Sequence, residues 1–244
     1  MSDLAKAGER LILALDTPEL PEAREFIHST QHLGIRYKVG PELFLAAGPE
    51  WLDKVIRQGA RVFLDLKFHD IPNTVEQACR RAAGWGVWMC NVHALGGAEM
   101  IRRARAGLEE AADPRRGGRP LLLAVTLLTS HDEKALSEIG LAPGTEGHVV
   151  RLAKMAKSAG ADGVVCSALE AAAVRKELGP DFTIVTPGIR PAGADVNDQV
   201  RISTPAGAIK AGASHLVVGR PITKAEKPAV ACRVILTEMA GALG

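Results

Sequence analysis

The chain alternates short apolar runs with segments in which apolar residues recur every three or four positions. The runs are rich in β-branched and aliphatic residues, which is typical of buried strands, whereas the intervening spacing is typical of helices with one apolar face. The pattern predicts eight strands, at Leu11–Leu15, Ile35–Val39, Val62–Leu66, Met89–Val92, Leu121–Leu127, Gly163–Cys166, Thr183–Val185 and Ser214–Val218. Strands that alternate with helices in this way form a parallel sheet covered by helices.

Local signals support the predicted helices and limit the choice of fold. Ser167 with Glu170 is typical of a capping box, and Thr204 followed by Pro205 is typical of a helix start. Eight strand–helix units in 244 residues predict an α/β fold, a (β/α)8 TIM barrel, as a single domain over residues 1–244. An open doubly wound sheet is the alternative, but the first strand is followed by Asp16-Thr-Pro and not by a glycine-rich dinucleotide motif.

The charge balance narrows the classes of partner. The chain has 30 Lys and Arg against 28 Asp and Glu, a formal net charge of +2. Proteins that wrap nucleic acid or lie on anionic membranes need a larger basic excess, so neither partner is expected. The four cysteines are widely spaced, and the apolar runs are too short for a signal peptide or a membrane span. We therefore expect a cytoplasmic protein that acts on a small molecule.

In a barrel of this type, the active site lies at the carboxyl ends of the strands. Polar side chains at those ends are therefore the candidates for function. They are Asp16, Lys38, Asp65, Lys67, Asn91, His93, Thr126, Thr129, Ser167, Arg190 and Arg220.

The third predicted strand carries the most informative group of charges. Asp65 and Lys67 are two residues apart, so the period of a strand places both on the face that points to the barrel mouth. Lys38 ends the neighbouring strand, and Asp70 follows in the loop. A structural ion pair is one interpretation. The other is catalytic: a lysine between carboxylates keeps its proton, which favours protonation of a carbanion over formation of a Schiff base.

The last two predicted strands are followed by motifs suited to an anion. Barrels often bind phosphate with the loops after strands seven and eight. Here Thr186-Pro-Gly-Ile-Arg190 and Val217-Val-Gly-Arg-Pro221 occupy those positions, and residues 191–199 could form a lid. An ordinary loop with surface arginines is the alternative. The other arginine-rich segment, residues 114–119, is predicted to be a solvated loop without a functional role.

Five motifs together resemble the bacterial orotidine 5′-phosphate decarboxylases. They follow the order of that family over nearly the whole chain, and the extension of the D-x-K-x-x-D core by Ile-Pro-Asn-Thr makes the resemblance specific. The motifs are Asp65-Leu-Lys-Phe-His-Asp-Ile-Pro-Asn-Thr74, Asn91-Val-His-Ala, Leu128-Thr-Ser130, Thr186-Pro-Gly-Ile-Arg-Pro191 and Val218-Gly-Arg-Pro221.

The resemblance implies a reaction without cofactor or metal, in which orotidine 5′-monophosphate yields uridine 5′-monophosphate and carbon dioxide during de novo pyrimidine synthesis. It implies that Lys67 protonates C6, that Asp65 lies against the substrate carboxylate, and that the enzyme is a homodimer with shared active sites. It further implies that Lys38 acts in catalysis and, together with Asp16, contacts the ribose, and that Asp70, Ile71 and Thr74 reach into the site of the partner subunit. Thr129 would lie near the pyrimidine, and Pro187 would take part in substrate binding. The residues implied at the phosphate are Gln199, Gly219, Arg220 and Arg190.

Two other functions remain open at this point. A sugar-phosphate epimerase or decarboxylase on the same barrel could be metal-dependent, with His69 or His93 joining Asp65 as a ligand. A phosphate-binding barrel without catalysis could act as a sensor or scaffold. The intact set of Asp65, Lys67 and Asp70 argues against the second, because a protein that only binds needs no proton donor among carboxylates.

Overall fold

The computed structural model describes residues 2–191 and 203–243. Within these ranges, eight parallel strands form a closed barrel in chain order, with the last strand paired to the first. The predicted (β/α)8 TIM barrel is therefore confirmed. The strands are β1 (Leu11–Ala14), β2 (Arg36–Val39), β3 (Val62–Phe68), β4 (Met89–His93), β5 (Leu121–Val125), β6 (Gly163–Val165), β7 (Thr183–Thr186) and β8 (His215–Val218).

The helices lie between the strands and cover the outside of the barrel. None in the described part of the chain combines the length and apolar character needed to cross a bilayer. The helices are α1 (Asp3–Arg10), α2 (Leu20–Thr30), α3 (Pro41–Arg57), α4 (Pro72–Gly84), α5 (Gly97–Glu110), α6 (Glu133–Glu138), α7 (Thr145–Ser158), α8 (Ala168–Leu178), α9 (Pro205–Lys210), α10 (Arg220–Thr223) and α11 (Pro228–Ala240).

Each predicted strand coincides with an observed one to within one residue at either end, except for two ends that differ by two residues. β3 continues to Phe68, two residues beyond the prediction, because the strand extends through the charged Lys67, before which the apolar run ends. β5 ends at Val125, although Leu127 is buried with only 2% of its surface exposed. An apolar residue is usually buried, but it need not belong to a strand, because a loop residue above the barrel can be as buried as a strand residue.

Alternation along the strands divides the core in two. A small cluster fills the barrel interior, where Ile12, Phe63 and Met89 pack together. The larger cluster lies between the strands and the helices and includes Leu13, Leu64 and Cys90. Residues next to each other in sequence therefore belong to different cores, as the strand period requires. The same parity directs the polar residues that follow Phe63 toward the barrel mouth.

The two predicted helix starts are N-caps. The Thr204 hydroxyl accepts a hydrogen bond from the Gly207 amide at 3.0 Å. The Ser167 hydroxyl accepts from the Leu169 amide at 3.2 Å, so its bond goes to the second helical residue and not to Glu170, the residue a capping box would use. These caps fix the starts of the helices that follow β6 and β7.

The arginine-rich loop has a structural role that the sequence analysis missed. The Arg116 guanidinium donates to the Trp85 carbonyl at 2.7 Å and forms an ion pair with Asp53. Arg119 donates two bonds to the Asp162 carboxylate, at 2.7 and 2.9 Å, and this bonding raises the pKa of Arg119. The prediction of a solvated loop is therefore wrong for Arg116 and Arg119, which tie the start of β5 to its neighbours.

Candidate active site

A cavity of about 540 Å³ opens at the carboxyl ends of the strands. Residues at or just beyond the ends of every strand except β4 line it. This is the position at which a (β/α)8 barrel places its active site, because the loops that follow the strands converge there. Of the predicted site residues, the lining includes Asp16, Lys38, Asp65, Lys67, Thr129, Pro187, Arg190, Gly219 and Arg220.

Four charged side chains form a continuous line across one side of the cavity. Lys38 Nζ lies 2.8 Å from Asp16 Oδ1 and 3.3 Å from Asp65 Oδ2. The other oxygen of Asp65, Oδ1, lies 2.8 Å from Lys67 Nζ. Carboxylates and ammoniums therefore alternate, and each Asp65 oxygen faces a different lysine. The contact between Asp65 and Lys67 that the strand period predicts is present.

The two lysines differ in their access to the cavity. The Lys38 side chain is 12% exposed and contacts carboxylates on both sides, whereas 35% of the Lys67 side chain is exposed. Burial by itself would lower the pKa of Lys38, but Asp65 and Asp16 reverse this effect and raise it above its ordinary value. Lys38 is therefore a fixed positive charge, and Lys67 presents the more accessible ammonium.

The backbone at Lys67 departs from a regular strand. Lys67 has φ +50°, the only positive φ outside glycine among the described residues. The β3–β4 pairing also shifts register between Leu64 and Phe68, which marks a bulge at this point. The contact between Asp65 and Lys67 thus comes from an irregular strand end, although simple alternation predicts it.

The part of the cavity formed by the loops after β7 and β8 is basic. Arg190 and Arg220 follow β7 and β8 as predicted, and Lys224 also lines the cavity. Lys224 was not among the predicted residues, although its position four residues after Arg220, about one helical turn, could have suggested it. In all, five cationic and two anionic side chains line the cavity, so its described lining suits a ligand with several negative charges.

Three described residues to which the resemblance gives a role do not line this cavity. Asp70, Ile71 and Thr74 are exposed at the beginning of α4, where the Asp70 carboxylate accepts a bond from the Ile71 amide at 2.7 Å. Ile71 is 67% exposed, which is a large value for an apolar side chain. Gln199 and most of the proposed lid lie outside the described residues.

A comparison with protein families identifies the group to which the chain is related. Residues 9–235 match the model of the orotidine 5′-phosphate decarboxylase / HUMPS family. The chain belongs to this family. The match spans the whole barrel, and the resemblance seen in the sequence motifs is confirmed.

Individual members of the decarboxylase family are similar over almost the full length. An orotidine 5′-phosphate decarboxylase of Alkalilimnicola ehrlichii is 54% identical, with 95% of this chain and 96% of the relative covered. The orotidine 5′-phosphate decarboxylase of Hydrogenovibrio crunogenus is 50% identical over 100% of both chains. A crystal structure of the Lactobacillus acidophilus enzyme of the same name has a TM-score of 0.84 at 42% identity, covering 95% of this chain and 99% of that one.

The histidines near the site do not favour a metal-dependent member of such barrels. His69 and His93 stack with ring centroids 5.4 Å apart. Burial, followed by the nearby His69 and Lys67, lowers the pKa of His93 below its ordinary value. Among the described residues, no three His, Cys, Asp or Glu side chains converge in a way that could hold a metal ion. The donor geometry therefore gives the metal-dependent alternative no support.

Proposed function

We propose that this member of the orotidine 5′-phosphate decarboxylase family converts orotidine 5′-monophosphate into uridine 5′-monophosphate and carbon dioxide, without cofactor or metal, in pyrimidine biosynthesis. The observation that carries the proposal is the Lys67 ammonium, held 2.8 Å from Asp65 in a cavity that Arg190 and Arg220 also line. The names and full-length similarity of the curated relatives support the same substrate.

The charge of the substrate fits the charge of the cavity. A phosphate monoester carries a charge of about −1.5 to −2 near pH 7, and the orotate carboxylate adds one more negative charge. The five cations exceed the two carboxylates of the lining by three charges. A substrate with phosphate at one end and a carboxylate at the other would place its two anionic groups at the arginines and at Lys67.

The chemistry requires a fixed positive charge at one carbon atom. When the bond between C6 and the carboxylate breaks, its electron pair remains on C6 in an orbital that the ring cannot delocalise. A preorganised ammonium stabilises that developing charge and can then transfer a proton to it. In the proposed mechanism, Lys67 Nζ supplies this proton to C6 as carbon dioxide leaves, and solvent later returns a proton to the lysine.

The other residues bind and orient the nucleotide. Lys38, between two carboxylates, maintains the line of charges and contacts the ribose together with Asp16. Asp65 lies against the substrate carboxylate, while Thr129 and Pro187 contact the pyrimidine side of the ligand. At the far end, Arg190, Gln199, Gly219 and Arg220 hold the phosphate, where guanidinium groups can bind two oxygens at once.

We also propose a cytoplasmic homodimer in which the partner subunit completes each site. Asp70, Ile71 and Thr74 are exposed and lie outside the cavity of their own chain, which is the placement expected of residues that reach a neighbouring site. The four cysteines are free and buried, in keeping with a reducing compartment.

The activity is tested by the loss of orotidine 5′-monophosphate absorbance on addition of the purified protein. We expect turnover that survives exhaustive treatment with a chelator and gives uridine 5′-monophosphate in equal amount to carbon dioxide. Activity that disappears with chelation would favour the metal-dependent alternative. Binding of the nucleotide without turnover would favour the sensor.

Shared sites predict complementation between two inactive variants. A mixture of Lys67→Ala and Asp70→Ala chains, dissociated and allowed to reassociate, forms heterodimers in which one site has both Lys67 and the other chain's Asp70. Random pairing should restore roughly a quarter of the wild-type activity. Each variant dissociated and reassociated alone is the control. Failure to regain activity, with heterodimers detected by mass spectrometry, would contradict shared sites.

A further inference from the structure

Asn91 is buried in the barrel interior, directly beneath the line of charges. It is fully buried on β4, and strand alternation places it on the same inner face as Met89. We propose that Asn91 is a positioning residue for the decarboxylation, which holds the Asp65 carboxylate and the Lys67 backbone in their active arrangement. The inference rests on the proposed function of Lys67 and adds to it a residue that does not line the cavity.

Both ends of the Asn91 carboxamide are used. Its Oδ1 accepts a hydrogen bond from the Lys67 backbone amide at 2.8 Å, and its Nδ2 donates to Asp65 Oδ1 at 2.7 Å. A buried amide is costly unless its donor and acceptor are satisfied. Here one side chain bonds to two residues of the proposed catalytic group, one through backbone and the other through side chain.

The hydrogen bond from the Lys67 amide to Asn91 Oδ1 is formed at the bulge in β3. Leu64 pairs with Cys90 and Phe68 pairs with Val92, so four steps along β3 correspond to two along β4. Lys67, within this interval, has φ +50°. A residue other than glycine persists in this conformation only where its surroundings impose it. Asn91 Oδ1 accepts the amide of that residue, and it thereby fixes the point from which the Lys67 side chain extends.

The second bond fixes the orientation of the Asp65 carboxylate. Oδ1 accepts from both Asn91 Nδ2 and Lys67 Nζ, whereas Oδ2 lies 3.3 Å from Lys38 Nζ. The hydrogen bond from Asn91 Nδ2 therefore determines which Asp65 oxygen faces Lys67 and which faces Lys38. Asn91 thus holds the Asp65 carboxylate in the orientation that the line of charges requires.

Two substitutions separate this role from simple packing. Asn91→Leu keeps a similar volume and removes both hydrogen bonds. Asn91→Asp keeps an acceptor for the Lys67 amide, but its ionised carboxylate cannot donate to Asp65. When that new carboxyl is protonated, its O–H can replace the Nδ2 donor. The variant is therefore expected to depend on pH in a way that the wild type does not.

We expect Asn91→Leu to lower kcat by about 10- to 100-fold, the range for a lost bond to a charged group. Its Kd for uridine 5′-monophosphate should stay within about threefold of wild type, since the proposed phosphate and ribose contacts are intact. Asn91→Asp should have a low kcat at neutral pH that recovers toward wild type as the pH is lowered. The measurements are kcat from pH 5 to 9, product binding by calorimetry, and thermal unfolding.

Thr30→Val is the matched control. The Thr30 hydroxyl is also fully buried and is 3.1 Å from Tyr37 Oη, but it lies in α2, away from the cavity. This variant should lose stability and keep the wild-type kcat and pH profile.

A packing role for Asn91 would give the result expected of the control: lower stability with wild-type kcat and no new pH dependence. That result would overturn the inference, as would loss of product binding in proportion to kcat in both variants, or failure of both to fold. The wild type is assayed in parallel. An inactive wild type would contradict the proposed function and not the role of Asn91.

Discussion

Replacing Lys67 by alanine is expected to reduce kcat for orotidine 5′-monophosphate by at least about 10⁴-fold. The substitution removes the charge that stabilises the C6 carbanion and the proton that quenches it, and the two effects multiply. Asp65 would also lose its partner at 2.8 Å, which leaves its carboxylate facing the substrate carboxylate with one fewer compensating charge.

The measurement is a single-turnover assay of purified Lys67→Ala, with binding of uridine 5′-monophosphate as the test of an intact site. Binding should persist, because the arginines that follow β7 and β8 are unchanged. Lys6→Ala is a suitable control, since that lysine is exposed and its ion pair is with Asp3. Decarboxylation within about tenfold of wild type would be incompatible with Lys67 as the acid.

Replacing Arg220 by alanine is expected to lower kcat/KM by about 10²- to 10³-fold, equivalent to roughly 3–4 kcal/mol. Arg220 lies at the basic end of the cavity, remote from Lys67 in the proposed arrangement. Binding energy from a non-reacting phosphate can be used to organise the reacting end of the site. Both kcat and KM should therefore change.

The nucleoside orotidine, which lacks the phosphate, distinguishes this role from damage to the fold. Arg220→Ala should leave the slow reaction of orotidine unchanged, because the missing contact has no counterpart in that substrate. Arg115→Ala is the control, as the Arg115 side chain is 90% exposed and bonds to Asp113. Equal losses with the nucleotide and the nucleoside would remove Arg220 from the phosphate site.

The barrel could be predicted from sequence because each strand has to be buried on both faces. That requirement leaves continuous apolar runs, such as Leu121–Val125, and it makes polar residues at strand ends conspicuous. Lys38, Asp65 and Lys67 could be assigned to one face because the strand period determines the direction of a side chain. The strand period therefore accounts for the grouping of these three charged side chains in the candidate site.

The bulge in β3 and the role of Asn91 could not be predicted in this way. Neither the two-residue period of a strand nor the apolar character of its residues predicts the positive φ of Lys67, because that angle depends on the pairing of two separate strands. Asn91 was visible as a polar residue at the end of a strand, but its bonds to Asp65 and Lys67 depend on that irregular pairing. Nor does a single chain indicate which site Asp70 would complete, because that depends on a second copy.

The central claim is that a primary ammonium at position 67 is the proton donor, and chemical replacement tests it most directly. Lys67→Cys can be alkylated with 2-bromoethylamine, which rebuilds a side chain of lysine length ending in an ammonium. The four native cysteines are buried, so the reagent should modify the new one selectively, and the treated wild type controls for any reaction at Cys166 in the cavity wall.

We predict that unmodified Lys67→Cys is inactive and that aminoethylation restores decarboxylation by at least about 100-fold. A modified protein that binds uridine 5′-monophosphate but remains as inactive as the cysteine variant would contradict the assignment.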